Sequence, residues 1–359
     1  MRRPSRDRPL ADAADRGRGG CGRVRVDPGV LLGELDAANQ AHGRAVPAGI
    51  VTHTGIAGLS LGGGIGWLMR RFGLTADSLI EADVVLADGT MLRASEDEHP
   101  DLLWGLRGGG GNFGVVTSFT SRAHPVGPTV LAGPMLFPLD RTQEVMDVYG
   151  GWSEAAPREL TTILNFRGAP PAPWVPDELH GTPGLVVGVL LVRRSRGRGA
   201  RPGADPGARP ARRACAPRPF VELQGLFDAA VQPGWHYYWK SSEVAEVSAD
   251  LVGAIVDATE GRTSPRSYTI VFQLGGAISD VPEGGSAYPH RAAGFDVNVN
   301  AVWLPEEADA ASEHVGWARS LFAEIEPAAR GRTSTSWAPR ARTGCARPTA
   351  PRSTRRSRR

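Results

Sequence analysis

The sequence contains a single lysine, Lys240, against forty arginines among its 359 residues. Cysteine is almost as rare, and Cys21, Cys215 and Cys345 lie too far apart for a metal-ligand motif or a disulfide framework. No stretch approaches the roughly 20 apolar residues that a membrane-spanning helix needs. The N-terminus is rich in arginine but lacks the apolar segment of a secretion signal. We therefore expect a cytoplasmic protein that has no metal site and no membrane partner.

Three arginine-rich segments account for the basic character of the chain. Residues 1–23, 193–213 and 332–359 together hold 24 arginines and only four acidic residues. The formal net charge of the whole chain is only +3, so the remainder is acidic. A nucleic-acid partner is not expected, because the basic residues are confined to segments with little apolar periodicity.

Two glycine clusters are the most informative feature of the chain. The first comprises Gly55, Gly58, Gly62, Gly63, Gly64 and Gly66, and the second comprises residues 108–111 and Gly114. Glycine is costly inside regular structure, and its bare N–H groups can surround an anionic phosphate. Two clusters some fifty residues apart suggest one extended ligand with phosphates at its centre, such as a dinucleotide. A tight structural turn is the alternative interpretation of the first cluster.

The second cluster matches the glycine spacing of the Rossmann fingerprint at Gly109, Gly111 and Gly114. That fingerprint requires a helix to begin at the third glycine. Residues 115–124 instead alternate and are β-branched, which predicts a strand. A Rossmann fold is therefore excluded.

The phrases around the clusters resemble the FAD-binding domain of the berberine-bridge-enzyme-like flavin oxidases. This group belongs to the vanillyl-alcohol-oxidase superfamily and includes hydroxynicotine oxidases. The matching phrases are residues 54–67, 72–77, 82–89 and 101–114, and weaker matches follow at 219–224, 236–242 and 288–291. The resemblance implies an α+β chain with a vanillyl-alcohol-oxidase-type FAD-binding domain and an antiparallel-sheet substrate domain backed by helices. We place a partial FAD-binding domain at residues 24–126 and the substrate domain at 127–331.

The resemblance also implies which residues contact FAD. Besides the six glycines of the first cluster, these are Asp77, Ser78, Asn112, Gly114 and Val116. Asp77 could equally cap a helix or turn, and Phe113 is expected in the core. Relatives with doubly attached flavin carry a cysteine where this chain has Val51, so a cysteinyl bond is excluded there. The family's attachment histidine lies in an arginine-glycine-glycine-histidine loop that is absent here, and His53 is expected to be a neutral loop histidine.

Local patterns predict the secondary structure. A helix is expected over residues 30–42, with Asp27 as N-cap and Pro28 as its first residue. Residues 82–86 and 90–94 should form a hairpin around Asp88-Gly89, and Pro100 should open a short helix. Further strands are predicted at 130–137, 160–166, 185–192, 268–274 and 295–303, and further helices at 141–152, 248–259 and 308–326.

The predicted strand at residues 236–242 is a candidate for substrate contacts, and its side chains alternate between two faces. His236, Tyr238 and Lys240 form one set, and Tyr237, Trp239 and Ser241 form the other. Either set could line a pocket, and an aromatic core with a surface lysine is the alternative. Tyr238, Lys240, Gln273 and Asn300 are the predicted substrate contacts, with Asn298 a further polar strand position.

The arginine-rich segments are either disordered basic linkers and tails or out-of-frame reads of a GC-rich gene. Codons for the start of the 332–359 tail can be chosen so that a shifted frame reads Tyr-Val-Asn-Phe-Leu, which resembles the family's C-terminal flavin-side motif. The family's active-site tyrosine lies in that motif, so no catalytic residue is identified in the chain as written. We favour the frame error for the tail.

The function implied by the resemblance is that of an FAD-dependent oxidoreductase. Such an enzyme transfers hydride from a small organic substrate to flavin, with oxygen as the acceptor of the electrons. The alternative is a catalytically inactive remnant of the same family.

Overall fold

The computed structural model describes residues 22–192 and 210–331. The remaining parts of the three arginine-rich segments, including the proposed frame error in the tail, lie outside these residues. Within the described chain no helix is long and apolar enough to cross a membrane. Two antiparallel sheets organise the fold, so the predicted α+β class is confirmed.

The first unit is an antiparallel sheet with the strand order β1-β5-β3-β4, and β2 pairs with β5 at its edge. Its elements are β1 (Gly22–Val26), α1 (Leu32–Gln40), β2 (Arg44–Ala45), α2 (Ile56–Leu61), α3 (Met69–Phe72), β3 (Leu79–Val85), β4 (Met91–Ala94), α4 (Pro100–Leu106) and β5 (Val115–Pro125). The predicted hairpin, the helix that begins at Pro100 and the strand after the second glycine cluster are all confirmed.

The second unit is a nine-stranded antiparallel sheet. Its elements are β6 (Thr129–Pro138), α5 (Thr142–Ala155), β7 (Leu160–Gly168), β8 (Pro183–Leu191), β9 (Arg212–Arg213), β10 (Ala216–Pro219), α6 (Phe220–Gln224), β11 (His236–Val244), α7 (Ala249–Glu260), β12 (Tyr268–Gln273), β13 (Phe295–Trp303), α8 (Ala311–Ile325) and β14 (Ala329–Gly331). The strand order is β10-β6-β8-β7-β12-β13-β11-β14, and β9 also pairs with β6. The predicted strands and helices of this region are confirmed.

Two sequence predictions fail locally. Helix α1 begins at Leu32, and the Glu34 carboxylate caps it by accepting the Leu31 N–H at 3.0 Å. The helix starts after the predicted N-cap Asp27 because Pro28 and Gly29 form a turn. The predicted linker at 193–213 is also too long, since Arg212 and Arg213 pair with Leu136 and Met135 of β6.

The second sheet buries both of its faces. Val297, Val299 and Ala301 of β13 point to one face and pack in the core beneath α5, α7 and α8. The alternate residue Val302 lies on the opposite face, which packs against residues 67–74 of the first unit. Burial of each large apolar side chain contributes about 1.5–3 kcal/mol, so this second contact joins the two units firmly.

Arg70 fixes the first unit against one end of the second sheet. Its buried guanidinium donates hydrogen bonds to the carbonyl oxygens of Leu160, Leu274 and Ala156 at 2.9, 2.6 and 3.0 Å. These carbonyls belong to the start of β7, the residue after β12 and the residue after α5. A buried charge is tolerated there because each of its three nitrogens donates a hydrogen bond.

Candidate functional site

The two glycine clusters lie side by side in the structure. The Gly110 N–H donates a hydrogen bond to the Leu61 carbonyl oxygen at 2.9 Å, which joins the end of α2 to the second cluster. The clusters are separated by about fifty residues in the chain, and they meet because β3 and β4 form a hairpin between them.

Several backbone N–H groups in these clusters have no hydrogen-bond partner within the described residues. They belong to Gly64, Ile65 and Gly66 in the first cluster and to Gly111 and Asn112 in the second. Gly64 and Gly66 are buried, and buried backbone donors are paired in the great majority of cases. Unpaired donors in adjacent glycine loops can bind an anionic group.

The glycines of the first cluster serve two different purposes. Gly63 has φ +110°, and a Cβ built there would lie 2.5 Å from the ring of Tyr288. Gly64 and Gly66 are likewise packed against Thr75 and Ala48. Gly55 and Gly58 instead face open space, with no atom within 4 Å of a built Cβ. Packing thus explains the three buried glycines, and Gly55 and Gly58 leave room for a ligand.

A short segment of the second unit, residues 286–291, forms one wall of the site. A Cβ on Gly108 would also lie 2.5 Å from the Cβ of Tyr288, so this side chain fills the space between the two glycine clusters. The Tyr288 N–H donates to the Arg107 carbonyl oxygen at 3.1 Å. Arg291 donates two hydrogen bonds to the Asp77 carboxylate, each of 2.8 Å. The segment therefore holds both clusters in place.

Two buried carboxyl groups lie behind Tyr288. Its hydroxyl donates to Glu243 Oε1 at 2.8 Å, and Glu243 faces Asp296 across the β11–β13 ladder. His290 Nε2 lies 3.9 Å from Glu243 Oε2. Glu243 Oε2 and Asp296 Oδ1 have no hydrogen-bond donor among the described residues.

Burial sets the protonation of this group. It raises the pKa of Glu243 to about 7, against the lowering effect of the Tyr288 hydrogen bond. Burial and the Glu243 charge hold the pKa of Asp296 well above its usual range. Burial and the two carboxylates also raise the pKa of Tyr288 well above its usual value. The pair therefore retains at least one proton near neutral pH.

Three of the remaining predicted cofactor contacts, Asp77, Ser78 and Val116, contact other parts of the protein. Asp77 is held by Arg291, and the Ser78 hydroxyl lies 3.3 Å from His124 Nε2. Val116 is buried in the core of the first unit. Gly114 has φ +141°, and a Cβ there would lie 2.6 Å from the Val85 carbonyl oxygen, while Asn112 is exposed. Their contact with FAD stays a prediction.

Phe113 was expected in the core, and that expectation is wrong. It is 38% exposed and packs against Gly105 and Gly109 at the surface of the second cluster. Gly108, Gly110 and Gly114 of the same loop have positive φ values of 108°, 82° and 141°.

The predicted substrate contacts do not come together. Asn300 lies on the face of the second sheet that points to the first unit, beside Trp239 and Tyr268 in the strand register. Tyr238 and Lys240 lie on the other face, covered by Arg319 and Phe322 of α8.

Gln273 also lies on the helix-covered face, where it bonds the Ser153 carbonyl oxygen at 2.7 Å and the Thr162 hydroxyl at 2.7 Å. The second sheet thus lies between these three side chains, Tyr238, Lys240 and Gln273, and the glycine clusters. The alternate set, Tyr237, Trp239 and Ser241, shares its face with Asn298 and Asn300. Trp239 Nε1 and Asn298 Oδ1 are buried there without a partner among the described residues.

Sequence reasoning missed Tyr288, Glu243 and Asp296 as parts of the site. Tyr288 stood within a phrase that resembles the family, and a signal for Glu243 was its position at the end of a strand-like run. Nothing in the sequence shows that Glu243 and Asp296 face each other, because their pairing depends on the register of β11 and β13.

Comparison with known proteins identifies FAD as the cofactor. Residues 20–95 match the family model described as an FAD binding domain. An FAD-linked oxidoreductase of Dictyostelium discoideum is 29% identical over 308 residues, which cover 85% of this chain and 65% of the relative. A carbohydrate oxidase of Microdochium nivale is 36% identical over 288 residues, covering 75% of this chain and 56% of the relative.

A solved structure shares the fold. The wild-type berberine-bridge-enzyme-like 1 protein of Physcomitrella patens superposes with a TM-score of 0.71 at 22% identity, over 86% of this chain and 68% of that one. The match confirms the predicted fold of an FAD-binding unit joined to a helix-backed antiparallel sheet. The chain spans less than two thirds of the length of the two curated relatives.

Stability should fall as the pH rises from about 4.5 to about 7, because folded Glu243 keeps a proton that the unfolded chain releases in this window. Tyr288, His290 and Asp296 surround this carboxyl group. Glu243→Gln removes the titration and should lessen the fall in the free energy of unfolding by about 3 kcal/mol. Denaturant titrations at several pH values measure it.

The matched control is Glu154→Gln, which changes an exposed glutamate of α5 and should retain the full pH dependence. An unchanged pH dependence in Glu243→Gln would show that this carboxyl group does not hold the proton.

Proposed function

We propose that this chain, which carries an FAD-binding domain and is related to the berberine-bridge-enzyme-like FAD-linked oxidoreductases, is an FAD-dependent oxidoreductase of small organic molecules. The observation that supports the proposal most is the junction of the two glycine clusters, with unpaired N–H groups in both. FAD, when bound, supplies an acceptor for a hydride removed from the substrate.

The residues present fit this cofactor. Its pyrophosphate is anionic, and the unpaired N–H groups of residues 64–66 and 111–112 offer donors without a competing side chain. Gly55 and Gly58 leave open space in which the cofactor can approach the backbone of α2. The orphaned Trp239 Nε1 and Asn298 Oδ1 supply polar groups on the facing sheet.

The chain itself supplies a proton-binding group beside the site. Removal of a hydride from an alcohol or amine leaves a proton that a nearby base must accept. Glu243 can bind a proton at Oε2 near neutral pH. Tyr288 donates a hydrogen bond to this carboxyl group, and its side chain packs against Gly63 and Gly108 of the two glycine clusters. The core between the two units contains Trp67, Phe72 and Tyr288. These side chains exclude water from the side of the site that faces this core.

The alternative of an inactive remnant finds no support, because the relatives are described as oxidases and oxidoreductases. A cytoplasmic location stays a prediction. We also propose dioxygen as the acceptor of the electrons, since one relative is named an oxidase of carbohydrate.

FAD binding is tested by filling the open space at Gly58. Gly58→Leu should lower the affinity for FAD at least tenfold, about 1.4 kcal/mol, because the side chain would occupy the space left for the cofactor. Fluorescence titration with FAD measures the effect. The control Gly150→Leu makes the same change at an exposed, open glycine of α5 and should bind FAD normally. Equal affinities in the two variants would contradict the proposed cofactor position.

The acceptor is tested without a known substrate. FAD-loaded protein is reduced by light in the absence of air, with EDTA as the electron donor, and then mixed with air-saturated buffer, while absorbance and hydrogen peroxide are recorded. We expect the flavin to be reoxidised faster than free reduced FAD, with one peroxide formed per flavin, because transfer of two electrons to dioxygen gives peroxide. Flavin that stays reduced in air would rule out dioxygen and leave the oxidoreductase proposal to another acceptor.

A further inference from the structure

A cavity of about 210 Å³ lies on the face of the second sheet that points toward the first unit. Strands β7 and β8 form its floor, and the loop at residues 226–230 covers one side. Most of its wall is apolar and includes Pro170, Trp174, Leu226 and Phe227. Such a lining favours a small ligand with an apolar, planar body.

Two polar side chains of β7 line this cavity. Asn165 is only 2% exposed, and its Oδ1 has no hydrogen-bond partner among the described residues. Arg167 donates from Nε to the Gly168 carbonyl oxygen, and its guanidinium lies 5.8 Å from the centre of the Tyr268 ring. No carboxylate of the described residues lies within salt-bridge distance of Arg167. Burial lowers the pKa of its guanidinium.

These two side chains require different partners. A guanidinium keeps its charge in a protein, and it is matched best by a planar carboxylate that accepts two parallel hydrogen bonds. The unpaired Asn165 Oδ1 is an acceptor and needs an O–H or N–H donor. Leaving either group without a partner in an apolar cavity costs free energy.

Strand geometry fixes the distance between the two partners. Asn165 and Arg167 are two residues apart on β7, so they share a face and are separated by about 6.6 Å along the strand. This separation is comparable to the distance between two substituents on opposite sides of a benzene ring. The cavity volume suits a ligand of on the order of ten non-hydrogen atoms at the packing density of protein interiors.

We propose that this cavity binds a small aromatic hydroxy acid. Its carboxylate pairs with Arg167, its hydroxyl donates to Asn165 Oδ1, and its ring lies between Trp174 and Phe227. The inference goes beyond the proposed oxidoreductase activity, because the site is built from the second unit alone and needs no flavin. The Phe227 ring lies 6.2 Å from the ring of Trp67, so the cavity adjoins the first glycine cluster.

Calorimetric titration of the full chain without added FAD tests the ligand class. The probes are 4-hydroxybenzoate, benzoate and 4-hydroxybenzamide. We expect 4-hydroxybenzoate to bind best, benzoate to lose affinity for lack of the donor, and the neutral amide to bind at least tenfold more weakly. Equal affinity for the acid and the amide, or no binding of 4-hydroxybenzoate, would overturn the proposal, and neither result depends on a variant or on flavin.

A matched pair of variants tests the position of the site. Arg167→Gln should lower the affinity for 4-hydroxybenzoate at least tenfold. The control Arg319→Gln changes an arginine that also lies over a tyrosine ring, that of Tyr238. It should leave the affinity unchanged, because Arg319 lies on the helix-covered face. An unchanged affinity in Arg167→Gln, or an equal loss in both variants, would contradict binding at Arg167.

Discussion

The contact of residues 286–291 with the first unit is the interaction on which the rest of the site depends. Arg291 and Asp77 form a buried ion pair between the two units, with both hydrogen bonds at 2.8 Å. Tyr288, three residues earlier, occupies the space that Gly63 and Gly108 leave open. The two glycine clusters can therefore approach each other only as closely as this tyrosine allows, and the Gly110–Leu61 hydrogen bond forms beside it.

The same contact carries an electrostatic cost. Glu243 and Asp296 are both buried, and no arginine or lysine of the described residues lies within salt-bridge distance of either, while His290 Nε2 lies 3.9 Å from Glu243 Oε2. Two adjacent carboxylates in an apolar setting cannot both be ionised readily, so the pair keeps a proton. Apolar burial on either side of the second sheet offsets this cost in free energy. The proton that the pair keeps gives the site a titratable group close to neutral pH.

Local sequence patterns predicted most of the fold. Alternation in 295–303 and helical periodicity in 248–259 were sufficient, because both elements bury one clear face, and Ser248 caps α7 by accepting the Leu251 N–H. The predicted start of α1 was wrong because the dipeptide Asp27-Pro28 also suits a turn. Family-like phrases identified the glycine clusters, and the match of residues 20–95 to an FAD binding domain includes the first of them.

The candidate site was less predictable, since it is assembled from segments distant in the chain. Strand alternation divided residues 236–242 into two sets correctly, but it cannot show which set the helices cover. Tyr238 and Lys240 were chosen from the covered set. The Glu243–Asp296 pair and the cavity at Arg167 depend on strand register and on long-range packing, which no local pattern encodes.

The most direct test of the account compares Asp77→Asn with Asp280→Asn in denaturant unfolding and FAD titration. Asp77→Asn leaves Arg291 buried without its counter-charge and should cost about 3–5 kcal/mol, with FAD affinity falling together with stability. Asp280 forms an exposed ion pair with Arg158, and its replacement should cost no more than about 1 kcal/mol. If Asp77→Asn lost FAD affinity at unchanged stability, Asp77 would contact the cofactor directly, and the ion pair would not hold the site together.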